Sequence, residues 1–193
     1  MRDATARPFI RPARAGDLGS VLALDRQTPT APHWTENTYR ELLGAASLPV
    51  GNLLRCAFIA ERAAELLGSE SIHGSHPDDA LREPHAILGF AIGAVQRSAK
   101  EREAELESVV VEPEWRRRGV GRLLCTAVLD WAAGQGAEIV RLEVRAHSAG
   151  PQALYRQLGF TVAGVRPRYY THPDDDAVCL QRALADAPAR TES

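Results

Sequence analysis

The sequence predicts an α/β (α+β) domain, with one central mixed sheet of six to seven strands flanked by about four helices. Three observations carry this. Short apolar segments of strand length alternate with longer segments whose apolar residues recur at i, i+3 and i+4. The second half runs strand–helix–strand–helix–strand, the order of a partly parallel sheet. A chain of 193 residues is long enough for one domain with a substantial core.

The elements follow in order. Phe9–Ile10 reads as a first strand. Asp17 is placed to cap a helix with Leu18, Val21 and Leu22 on one face. After a loop with Pro29 and Pro32, Thr35 caps a second helix through about Leu43. Cys56–Ala60 is the next strand. Over 68–84 the periodicity is lost, which predicts a flexible insertion within a hairpin. His85–Gln96 and Glu105–Val111 are the following strands. From Gly119 to Ala133 the apolar residues Val120, Leu123, Leu124, Ala127, Val128 and Trp131 make a helical stripe, ended by Gly134 and Gly136. Ile139–Val144 is a strand. Ser148 caps a last helix that tolerates Pro151 in its first turn and closes at Gly159. Phe160–Val165 and Ala177–Leu180 complete the sheet. The expected domain spans 9–183, with a disordered tail at 184–193.

Composition narrows the function. A net charge of −2 gives no general attraction to nucleic acid or to an anionic membrane. No apolar run is long enough to span a bilayer, and no secretory signal is visible at the start. Cys56, Cys125 and Cys179 are far apart and form no CxxC pair, which argues against a disulfide framework and a zinc site. The cytoplasm is the expected compartment. His73 and His76 with Asp78 and Asp79 fit no zinc spacing and read as a solvated loop, so no metal is expected. Asp174–Asp176 reads as a solvated turn.

The segment ELESVVVEPEWRRRGVGRLL runs strand, loop, helix. Two glycines, Gly119 and Gly121, stand at the helix entrance, where unpaired N–H groups and the positive end of the dipole face outward. Arg116, Arg117, Arg118 and Arg122 add permanent charge suited to phosphate. There is no GxxxxGK[ST], and Leu124 breaks a GxGxxG fingerprint. What remains is an anion loop after a strand.

A second stretch, LEVRAHSAGPQALYRQLGF, runs from Leu142 to Phe160. Glu143 shares a strand face with Arg141 and Arg145. By pattern alone Glu143 reads as a solvent-face residue and Tyr155 as a packing residue.

Taken together, Arg-x-x-Gly-x-Gly at 116–121, LEVR and ALYxxLGF resemble the GNAT family of acetyl-CoA-dependent N-acetyltransferases. Within it they are most similar to the RimI-type branch, which acetylates the N-terminal alanine of a ribosomal protein. The resemblance is strong over Leu106–Phe160 and weaker at PHWTENTY and RPRYY. It implies the GNAT fold and a set of roles. The backbone of Val109, Val110 and Val111 would hold the pantetheine arm where the strand splays from its neighbour. Arg117, Arg118, Gly119, Val120, Gly121 and Arg122 would hold the pyrophosphate. Glu143 would be the general base and Tyr155 the general acid. Ser148 stands where that branch has a CoA-contacting asparagine. Tyr169 and Tyr170, on a loop before the last strand, and Trp34, with Glu36 beside it, would flank the acceptor groove. Trp34 reads also, and somewhat more readily, as a hydrophobic staple at a helix entrance, and the tyrosine pair as an ordinary hairpin.

The chemistry suits these residues. An α-amine is mostly protonated at neutral pH, and a carboxylate can take its proton. Arg141 and Arg145 beside Glu143 would stabilise the carboxylate and favour a water relay. A phenol can protonate the departing thiolate, and a backbone N–H at the splay can meet the oxyanion. The expected partners are acetyl-CoA and an acceptor amine, either a protein N-terminus such as that of a ribosomal protein or a small-molecule amine. A non-catalytic CoA-binding module is the third reading.

Overall fold

β1 (Pro8–Pro12) begins a seven-stranded sheet in the computed structural model, which describes residues 7–44, 52–62, 87–96 and 102–184. The other elements are α1 (Leu18–Gln27), α2 (Glu36–Gly44), β2 (Leu53–Arg62), β3 (Ile87–Gln96), β4 (Glu103–Val111), α3 (Val120–Gly134), β5 (Ile139–Arg145), α4 (Ala149–Gln157), β6 (Thr161–Thr171) and β7 (Asp174–Ala183). The insertion expected at 68–84, with His73, His76, Asp78 and Asp79, lies outside the described residues. Of the tail expected from 184, only Leu184 is described; its N–H donates to the Glu138 carbonyl at 2.8 Å.

The strand order is β1-β2-β3-β4-β5-β7-β6. Among the described residues only β4 and β5 pair in parallel; every other neighbour is antiparallel. The mixed sheet with four α-helices is the GNAT fold that the resemblance implies. β3 is buried on both faces because helices cover both sides of the sheet. On one side α3 packs Val120, Leu124, Cys125, Val128 and Ala132 against the sheet, joined by Tyr155 from α4. On the other, α1 and α2 pack Val21, Leu24, Tyr39 and Leu43 against Ile59, Phe90 and Ile92. α3 lies so close that a Cβ at Gly93 would sit 2.5 Å from Val128 Cγ1.

Three local expectations are corrected. Asp17 does not cap α1: it closes a 3-10 turn, Ala15–Asp17, and its carboxylate accepts the Arg14 N–H at 2.7 Å and the Arg11 guanidinium at 2.7 and 2.8 Å. Ser148 occupies the N-cap position of α4, but its hydroxyl makes no cap bond. Gln152 instead donates to the Arg145 and Ala146 carbonyls at 3.1 and 2.8 Å and secures this turn. Asp174–Asp176 is not a turn. It opens β7, because the hairpin turn is confined to His172–Pro173 and Tyr170 already pairs with Asp175. Thr35 does cap α2, accepting the Thr38 N–H at 3.2 Å.

Candidate active site

The parallel ladder between β4 and β5 has three rungs: Glu103↔Ile139, Ala104↔Val140 and Glu105↔Arg141. Beyond them the strands part, and β4 from Leu106 to Val111 keeps only β3 as its partner. A bulge accompanies the parting. Leu106 pairs with Gly93 and Ser108 with Ile92, so Glu107 is the extra residue. The bulge exchanges the two faces of the strand. Before it, Ala104 and Leu106 join the α3 core; after it, Val109 and Val111 pack there while Val110 joins the α1–α2 core. Glu103, Glu105 and Glu107 therefore share the α1–α2 side.

β4 ends at Val111, and the cradle follows. Arg117 and Gly119 both have left-handed backbones, with φ of 63° and 84°. Gly119 is the N-cap of α3, and a Cβ there would meet nothing within 4 Å, so the space outside this turn is open. The first-turn N–H groups of Val120, Gly121 and Arg122 lack intrahelical acceptors. Gly121 is close-packed: its Cβ would lie 3.2 Å from Leu154 of α4. The arginine side chains are partly committed. Arg116 Nε donates to the Val111 carbonyl at 3.0 Å, Arg118 lies over the Trp115 ring, and Arg122 donates to Gln157 Oε1 at 2.6 Å. The cradle thus presents backbone amides framed by positive charge, which fits a pyrophosphate.

Glu143 and Tyr155 lie on opposite faces of the sheet. Glu143 lies between the buried pair Leu142 and Val144, which belong to the α3 core, so it points to the α1–α2 side. Tyr155, from α4, is buried on the α3 side with its ring 5.8 Å from Phe160. Among the described residues its hydroxyl makes no hydrogen bond. Burial, chiefly, and then the neighbouring Cys125 and Tyr170, hold this phenol well above its ordinary range, so it carries its proton at neutral pH.

The arginines flanking Glu143 in sequence serve elsewhere. Arg141 pairs with Glu103 at 2.7 Å. Arg145 donates to the Pro173 and His172 carbonyls and lies 4.2 Å from the Tyr170 ring centre. Glu143 instead pairs with Arg166 Nη1 at 2.9 Å, a partner 23 positions on that adjacent-residue reasoning missed.

Tyr169 and Tyr170 lie within β6, not on a loop. β6 continues to Thr171 and bulges between Arg166 and Tyr170, so the pair is held as strand, its rings edge to face at 5.1 Å. Tyr169 faces Glu143. Hydrogen bonding to that carboxylate, then burial, raises the Tyr169 phenol above its ordinary value. Trp34 is the staple of α2, packing on Tyr39 at 5.7 Å, and its ring also lies 5.8 Å from the Arg55 guanidinium. Arg55 in turn grips Glu107 through contacts of 2.8 and 2.9 Å. Glu36, by contrast, pairs with Arg40 on the exposed face of α2.

The acidic run predicts a solvated Asp175, yet its side chain is only 4 % exposed. It accepts from the His147 ring at 2.7 Å and from the His147 backbone at 3.3 Å. Burial alone would raise its pKa, but these bonds prevail and bring it below the ordinary carboxylate value. The loop after β5 is thereby tied to the β6–β7 hairpin. The alternation of Glu103, Glu105 and Glu107 was the available signal for the carboxylates on this face. Among the described residues no three His, Cys, Asp or Glu side chains are grouped to hold a metal ion, and no helix is long and apolar enough to cross a membrane.

The acetyltransferase (GNAT) family model matches residues 33–160, well over half of the chain. The chain belongs to this family. Its GNAT domain is 32 % identical over 142 residues to the [ribosomal protein bS18]-alanine N-acetyltransferase of Escherichia coli (strain K12), covering 70 % of this chain and 93 % of that enzyme. It is 45 % identical over 80 residues to an uncharacterized protein of Mycobacterium leprae (strain TN), 42 % of this chain but only 21 % of that longer protein. The crystal structure of the ribosomal-protein-S18-alanine N-acetyltransferase from Escherichia coli superposes with a TM-score of 0.64 at 23 % identity, covering 97 % of this chain and 100 % of that one. The GNAT chain is accordingly an N-acetyltransferase.

Proposed function

We propose that this GNAT enzyme moves the acetyl group of acetyl-CoA to the N-terminal α-amine of a protein, with the alanine of ribosomal protein bS18 as the acceptor. The carrying observation is the gap between β4 and β5, with Glu143 on one face, Tyr155 on the other and the Gly119 cradle at the end of β4. The likeness along almost the whole of the E. coli enzyme supports the acceptor.

In this reading the α3 amides at Val120–Arg122 and the turn at Arg117–Gly119 hold the pyrophosphate. The free edge of β4 over Val109–Val111 holds the pantetheine arm. The Val111 carbonyl already receives Arg116, which leaves the remaining backbone groups of that edge for the arm. Glu143, directly or through one water, takes the proton from an α-ammonium whose pKa is about 8. The neutral amine attacks the thioester and a β4 N–H meets the oxyanion; the C–S bond breaks as Tyr155 gives its proton to the departing thiolate, and the second proton of the acylated nitrogen restores the phenol through solvent. Trp34, Tyr169 and Tyr170 line the acceptor side, and Ser148 stands at the start of α4 near the donor.

Thiol release from acetyl-CoA with a peptide copying the N-terminus of bS18 tests this. The expected result is turnover that requires a free α-amine, with an Nα-acetylated copy inert. Turnover on small amines alone would overturn it.

A further inference from the structure

The α1–α2 side of β4 and β5 carries four carboxylates: Glu103, Glu105, Glu107 and Glu143. Three are each neutralised by one guanidinium. Glu103 pairs with Arg141, Glu107 with Arg55 and Glu143 with Arg166. Glu105 alone of the four has no ion-pair partner among the described residues. Its position is specific. It stands on the last parallel rung, opposite Arg141, where the splay begins, and Glu143 lies two residues further along the same face of β5. The uncompensated negative charge of this face is therefore at the mouth of the gap.

We propose that Glu105 anchors the acceptor, holding its α-ammonium beside Glu143 before the proton is removed. This rests on the reading of the chain as an α-amine acetyltransferase. A cation entering the groove finds Glu107 and Glu143 already bonded to arginine, so breaking either pair offsets what the new contact contributes. At Glu105 nothing is broken. Glu105 reaches solvent, but the groove partly desolvates it. That desolvation comes first, then repulsion from Glu107 and Glu143, and Arg55 and Arg166 oppose them less strongly; the result is a carboxyl pKa above its ordinary value. Arg141 opposite it on the same rung, Glu103 two residues back along β4 and Tyr169 from β6 complete the charged and titratable groups around it. An ammonium placed there relieves the repulsion that raises it. Glu105 is ionised above its raised pKa and neutral below, so acceptor binding weakens as pH falls through that value.

Steady-state kinetics with an alanine-starting peptide test the role in Glu105→Gln. The expected result is a peptide KM raised about tenfold or more, with kcat and the acetyl-CoA KM changed by less than about twofold. The rise of wild-type peptide KM at acid pH should be absent in the variant, and Glu105→Asp should recover part of the affinity. An unchanged peptide KM, or a loss confined to kcat, would overturn the role while leaving the functional reading intact. Wild-type inactivity on every α-amine peptide would overturn both.

Discussion

Arg166 on β6 reaches across β7 to place Nη1 2.9 Å from Glu143 Oε1 on β5. The two strands are not neighbours, so the contact depends on the long arginine stem crossing the strand between them. Its guanidinium also lies 5.6 Å from the Tyr169 ring centre. The base of the proposed reaction is thus oriented by the same strand that carries the acceptor-side tyrosines. Arg166→Ala should lower kcat by about three- to tenfold, as a positioned base loses its orientation, with Arg166→Lys between it and wild type. The arginine is 60 % exposed, so the pair adds no more than about 1 kcal/mol to folding. Thermal melts of Arg166→Ala and wild type should nearly coincide.

Glu143→Gln and Tyr155→Phe should each reduce kcat by about 10²-fold or more, the usual weight of a positioned acid or base. Acetyl-CoA affinity, measured by calorimetry, should change little, because neither side chain lies in the Gly119 cradle. Unaltered turnover in both variants would remove them from the catalytic step.

Gly119→Ala separates backbone conformation from space. A Cβ there meets no atom within 4 Å, but the residue has φ of 84°. The left-handed conformation costs a non-glycine residue about 1 kcal/mol. We expect the acetyl-CoA KM to rise roughly fivefold, with kcat at saturating donor close to wild type.

Gly93→Ala tests the opposite case. Its added methyl would sit 2.5 Å from Val128 Cγ1 and 3.2 Å from Cys56 Sγ. α3 must shift away from the sheet, at a cost of about 1–3 kcal/mol. Denaturant melts should show a lower midpoint at an unchanged slope.

Asp17 and Asp175 predict acid sensitivity. Both carboxylates are held below the ordinary value of 3.8: burial alone would raise them, but the bonds from Arg11 and Arg14 to Asp17, and from His147 to Asp175, outweigh it. A depressed folded pKa contributes stability that is complete above the ordinary value and is lost as pH falls through the lowered one. Asp17→Asn and Asp175→Asn should therefore melt below wild type at pH 7. The differences should shrink steadily below about pH 4.

Much of the architecture was legible because local rules and tertiary contacts agree. The α3 stripe from Val120 to Trp131, Thr35 as a cap, and Gly136 and Gly159 with left-handed φ all follow from neighbours within a few residues. Leu123 is the exception: spacing put it in the stripe, yet it is 40 % exposed, because α3 meets the sheet along Leu124 and Val128. The hairpin of β6 and β7 was cut short in the sequence reading. Arg, Pro and Asp normally mark a turn, whereas here the acidic residues are satisfied by His147 and by the Arg168 N–H and continue as strand.

The order of elements, the glycine turn after β4 and the choice of Glu143 and Tyr155 as the residues to watch were all legible in the amino-acid order. The first two rest on periodicity and on glycine's backbone freedom; the last rests on the resemblance of LEVR and ALYxxLGF to the GNAT family. Which charges meet became visible in the assembled sheet. Arg141 and Arg145 stand beside Glu143 in sequence, yet Arg166 holds it; the bulge at Glu107 determines which face each β4 side chain occupies; and Glu105 has no ion-pair partner among the described residues. Ion pairing depends on distances across strands, and a one-residue bulge reverses a face with no local signature. Those facts come into being only when the sheet is assembled.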